Sequence, residues 1–111
     1  MAHTNHDGSI WSNVTLGANR RHGPGSNFAI IDKLPADQPL IVLCYTRGDT
    51  ESWTASNGQS YTSDAWDFVV TGDQDRGGYV ADVLIYTDGD ITQQLGAQGT
   101  CDALRQRLAN P

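Results

Sequence analysis

The chain has 111 residues and a formal net charge of −6 at pH 7. That length suits one domain, and the acidic balance excludes a surface that attracts nucleic acid or an anionic membrane. The sequence has no apolar run of about 18 residues, the length a membrane-spanning helix requires.

Leu, Ile, Val and Phe make up about a fifth of the chain, at the edge of what a stable core needs. A small domain with so lean a core usually needs a staple. The charged residues are mostly Asp and Arg, with Lys33 and Glu51 the single Lys and Glu. Asp favours turns and caps, whereas Glu and Lys favour helix surfaces, so the composition points to a loop-rich β protein.

Met1 to Ser9 is polar, lacks the apolar centre of a signal peptide and reads as a flexible tail. Its His3 and His6 read as solvated side chains rather than metal ligands. Residues 10–111 form the expected domain. Ile10, Val14 and Leu16 share a parity, which fits a short strand or a tucked arm that carries Trp11. Asn13-Val14-Thr15 matches a glycosylation acceptor, a pattern common by chance. Gly17 to Asn27 holds the turn Gly23-Pro24-Gly25 and the adjacent Arg20 and Arg21, and reads as a loop. Its glycines lack the spacing and the following Lys-Ser/Thr of a phosphate loop.

Phe28 to Leu34 is an expected strand, and Pro35 to Pro39 a turn. Leu40 to Thr46 follows, with four consecutive apolar residues bounded by Pro39 and Arg47-Gly48-Asp49. That pattern predicts a central strand covered on both faces. Arg47 to Ser63 is polar, carries Trp53 and Tyr61, and has Asn57-Gly58 midway; it reads as an exposed loop or ribbon. Ala65 to Val70 and Tyr79 to Tyr86 are two further strands, with Trp66 assigned to the core. Asp73, Asp75, Asp88 and Asp90 lack the closing Glu of a calcium loop and read as turn residues. Thr100 to Leu108 is the one helical candidate. Thr100 or Asp102 can cap it, and Arg105 and Arg107 suit its C-terminal end. Cys44 and Cys101 read either as a disulfide or as two buried thiols.

The order of these features resembles the bacterial SH3-like (SH3b) domains of actinobacterial secreted proteins and cell-wall hydrolases. The matching residues are Asn19, Arg21, Gly23-Pro24-Gly25, Leu34, Cys44-Tyr45-Thr46-Arg47-Gly48, Trp66-Asp67, Gly78-Tyr79-Val80, Asp82 and Tyr86-Thr87. They cover about three quarters of the chain, from Ala18 to Cys101. The resemblance implies an all-β fold: a small SH3-like antiparallel β-barrel, here with an N-terminal arm and a short C-terminal helix. It also implies a Cys44–Cys101 disulfide and binding of peptidoglycan peptides. Two residues depart from the pattern: Arg20 stands where an apolar strand residue is usual, and Tyr45 replaces a usual Gln.

The function expected is therefore a non-catalytic binding module for bacterial cell wall or another peptide or protein ligand, extracellular or wall-associated. The alternative is a structural component of an actinobacteriophage virion, which would be expected to self-associate. A hydrolase fails on inventory, because no motif surrounds His3, His6 or His22. No cofactor is expected. Arg21, Tyr45, Trp53 and Tyr61 are the expected ligand-binding residues, on the clustering of aromatics and Arg in predicted loops.

Overall fold

A computed structural model describes residues 6–12, 14–54, 58–71, 77–87 and 99–109. The described residues fold as one curled antiparallel sheet, a half-barrel, with one short α-helix among them. The strands are β1 (His6–Ile10), β2 (Ala18–Arg21), β3 (Ile30–Leu34), β4 (Pro39–Thr54), β5 (Ser60–Val70), β6 (Gly77–Ala81) and β7 (Ile85–Tyr86). The helix α1 is Cys101–Ala109. The spatial order is β3-β2-β6-β5-β4-β1-β7.

β4 is interior, between β5 and β1, as its apolar run requires. Its Leu40 and Val42 pack with Ile10, Val14, Ala18, Leu34, Val69, Val80 and Ile85 in the main core. Two irregularities bend it. Leu43 is an extra residue between the pairs Val42↔Val69 and Cys44↔Phe68. Further on, Gly48, Asp49 and Thr50 stand against Asp64 alone, between Arg47↔Ala65 and Glu51↔Ser63. Extra residues of this kind increase local twist and re-aim side chains. The second bulge points the Asp49 carbonyl at Trp66, whose Nε1–H donates to it at 2.9 Å. Trp66 is buried with Ala81 and Val83 in a smaller cluster. The same bulge brings Gly48 against the Gly23-Pro24-Gly25 turn. A Cβ on Gly48 would stand 2.0 Å from the Pro24 carbonyl oxygen, so only glycine fits. The Asp49 N–H donates to that oxygen at 3.2 Å.

Three expectations are corrected by the structure. His6 to Ser9 are not tail but most of β1, paired with Leu40, Val42 and their neighbours on β4. Ala18 to Arg21 form a strand rather than a loop, because Arg20 is an interior residue with its charge met inside. It is fully buried, its Nε donates to Asp32 Oδ1 at 2.8 Å, and its Nη2 donates to Oδ2 at 2.6 Å. Gly78 makes room for that side chain, since a Cβ there would lie 2.5 Å from Arg20 Cγ. Tyr79 to Tyr86 is not continuous: a 3₁₀ turn at Asp82–Leu84 separates β6 from β7. Of the loop or ribbon expected for Arg47 to Ser63, the structure has the ribbon: its described residues include the far halves of β4 and β5, paired with each other. Asn13, Asn57, His3 and the residues expected in turns, Asp73, Asp75, Asp88 and Asp90, lie outside the described residues.

The helix begins where expected. Thr100 Oγ1 accepts the Ala103 N–H at 3.1 Å, an N-terminal cap. Cys101 is joined to Cys44, with Cα atoms 4.9 Å apart, and Thr100 bridges to Tyr45. A nine-residue helix is marginal in isolation, so this tether and its packing on β4 hold it.

Candidate functional site

The ribbon is the most unusual part of the molecule. Its two faces differ because side chains alternate along a strand. On one face, hydroxyl pairs run across the strands: Ser52–Thr62 at 2.9 Å and Thr54–Ser60 at 3.0 Å. On the other face Trp53 and Tyr61 oppose one another, with ring centroids 5.9 Å apart and planes within 20°. Such cross-strand aromatic pairs hold a ribbon together where core burial is thin.

Trp11 closes the group from the N-terminal arm. Its ring lies 6.5 Å from Trp53 and 6.4 Å from Tyr61, again nearly parallel to both. Tyr86 meets Trp11 edge-on at 4.9 Å. The arm is fixed by backbone bonds: Trp11 N–H donates to the Leu84 carbonyl, Ile10 N–H to Gln38, and Asp37 N–H to Ile10. Trp11 and Trp53 are half-buried against the main core, while Tyr61 and Tyr86 are 38% and 44% exposed.

Beside these rings opens a cleft of about 570 Å³, within the range that holds small ligands. Trp11 and Tyr61 line one side with Val83 and Ile85. The polar lining comes from Ser60, Thr62 and Ser63 of β5, Arg47 of β4 and Asp82 of the 3₁₀ turn. Arg47 is positioned from two directions. Its Nη1 donates to Asp64 Oδ1 at 2.7 Å, and its guanidinium carbon lies 5.9 Å from the centre of the Tyr45 ring. With side chains 58% and 44% exposed, the Arg47–Asp64 pair is screened and contributes under about 1 kcal/mol. Its effect is to orient the guanidinium.

The structure brings together two of the four expected site residues. Trp53 and Tyr61 are in contact at the cleft, though Trp53 serves as the wall behind it. Tyr45 is buried, 7% exposed, beneath Arg47 and next to the Thr100 bridge, so its ring supports the site without facing a ligand. Arg21 lies apart. It is on β2, in line with Tyr79 and Phe68, and Phe68 is seven residues along β5 from Tyr61, roughly 23 Å of extended strand. Its Nη1 donates to the Ser26 and Phe28 carbonyls at 3.0 and 2.9 Å, which closes the Gly-Pro-Gly turn. Sequence reasoning missed Trp11, Arg47, Asp82 and Tyr86 as site residues. The one available signal was a Trp of opposite parity to Ile10, Val14 and Leu16, off the apolar side of its own arm.

No family profile matches this chain, and no solved structure matches it. It is similar to YraJ of Bacillus subtilis strain 168, itself an uncharacterized protein, at 36% identity over 76 residues. The match covers 65% of this chain and 59% of that protein, so the chain spans less than two thirds of the relative's length.

Proposed function

We propose that this protein is a non-catalytic binding module for bacterial cell wall, built on an SH3-like half-barrel, whose ligand enters the cleft between the ribbon and the N-terminal arm. The observation that carries the reading is the aromatic group Trp11–Trp53–Tyr61 beside a polar-lined cleft. Tyr and Trp supply large contact areas with few rotatable bonds, which suits recognition. The cleft lining sets Ser63, one Arg and one Asp beside Trp11 and Tyr61, with no histidine or cysteine among the lining residues. Cys44 and Cys101, the two cysteines of the chain, are consumed in their disulfide. An extracellular or wall-associated location is consistent with that bond, since disulfides persist in oxidising compartments.

The test is co-sedimentation with purified cell wall. Wild-type protein is expected in the pellet, and Tyr61→Ala in the supernatant. Tyr61 is the cleaner site because its ring is partly exposed, and loss of its cross-strand pair with Trp53 should cost no more than about 1 kcal/mol, a few degrees of melting temperature. Trp53→Ala is a poorer probe. It empties space against both core clusters and is expected to cost about 2 kcal/mol or more of stability whether or not a ligand binds. Wild-type protein that stays in solution, or Tyr61→Ala that still pellets, would refute the assignment.

A further inference from the structure

We infer that the chemistry recognised in the cleft is the face of a pyranose ring, so that the wall component gripped is a neutral N-acetylated sugar chain and not a stem peptide. This inference rests on the binding-module reading above. Its first ground is the arrangement of the rings. The centroids of Trp11, Trp53 and Tyr61 form a nearly equilateral triangle, with sides of 5.9, 6.4 and 6.5 Å, and their planes agree within 23°. Parallel rings in face contact are about 3.5 Å apart, so a column of three would separate its outer members by roughly 7 Å, beyond any side of this triangle. The rings are therefore offset from one another rather than piled in one column, and Trp11 and Tyr61 are the two that line the cleft. A pyranose carries a flat apolar face of axial C–H bonds, which an aromatic ring face matches, and a rim of hydroxyl and amide groups that both donate and accept.

The second ground is the polar lining. Ser63, on the same strand face as Tyr61, offers a hydroxyl, Arg47 offers donors and Asp82 acceptors. The two charged residues are opposite in sign, and Arg47 is already bound to Asp64. In a chain of net charge −6 this is not a trap for peptide carboxylates.

The experiment is tryptophan fluorescence of the full chain titrated with tetra-N-acetylchitotetraose and, separately, with a synthetic stem pentapeptide. Cell-wall co-sedimentation is run on the same samples. The sugar is expected to give a saturable change and the pentapeptide none. Tyr61→Ala should weaken the sugar response about tenfold or more, while Tyr61→Phe, which keeps the ring, should stay close to wild type. A saturable response to the pentapeptide without one to the sugar would overturn the inference, as would a sugar response untouched in Tyr61→Ala. Silence to both probes with wall retention intact would overturn the sugar assignment alone. Loss of wall retention as well would overturn the binding-module reading with it.

Discussion

Removing the Cys44–Cys101 disulfide is expected to lower stability by roughly 4 kcal/mol, because the bond closes a loop of 57 positions in the unfolded chain. In a domain this size that is a melting temperature lower by roughly 15–25 °C. The lean aliphatic core makes the loss a large share of the ~5–15 kcal/mol typical of a folded domain. The structural consequence is local as well. α1 is nine residues long and begins at Cys101, so reduction frees the segment that cannot hold itself. Thermal melts with and without reductant, paired with amide exchange in α1, check both parts. Free-thiol titration of the unfolded, unreduced protein should find none. Two reactive thiols, or an unchanged melt after reduction, would contradict the assignment.

Asp32→Ala is expected to destabilise by about 3 kcal/mol, since it leaves the buried Arg20 guanidinium without its bidentate partner. The lower end of the usual range applies because the Asp32 side chain is 25% exposed and water can enter in its place. Thr71 Oγ1 lies 3.4 Å from Arg20 Nη1, a longer contact than either bond to Asp32. Arg20→Met combined with Asp32→Leu should be nearer to wild type than Asp32→Ala alone, because replacing both members removes the desolvation penalty along with the attraction. Urea denaturation of the three variants measures this. A single substitution within about 0.5 kcal/mol of wild type would place Arg20 in an environment wetter than the structure describes.

Arg20 also marks the limit of what the sequence made legible. Apolar runs revealed Leu40–Thr46 and Ala65–Val70, since strands covered on both faces write themselves as uninterrupted Val, Ile and Leu. β2 was hidden because a charged residue reads as surface, and its partner Asp32 lies on another strand. β1 was hidden because His6 to Ser9 contribute backbone hydrogen bonds to β4 more than apolar side chains. Apolar content alone could not reveal the 3₁₀ turn at Asp82–Leu84 inside the run from Tyr79 to Tyr86. At the site, Trp53 and Tyr61 were legible together because they flank Asn57-Gly58 at similar distances and so face each other across a ribbon. Trp11 was not, since nothing local places an N-terminal arm against the end of β5. Tyr45 and Arg21 were misplaced for a shared reason. Residue type suggested contact with a ligand, but the bulge at Leu43 leaves Cys44 and Tyr45 both buried, and the Gly-Pro-Gly turn engages Arg21.

The two tryptophans of the cleft give the central claim a direct readout, because each carries an indole N–H visible by heteronuclear NMR. Peptidoglycan fragments released by a muramidase, added to isotope-labelled protein, are expected to shift the Trp11 and Trp53 indole signals and the backbone amides of Ser60 to Ser63. The Trp66 indole, bonded to the Asp49 carbonyl in the core, should move little. Shifts confined to Arg21 and the Gly23-Pro24-Gly25 turn, or no shifts at fragment concentrations where intact wall retains the protein, would contradict the assignment of the ribbon cleft as the binding site.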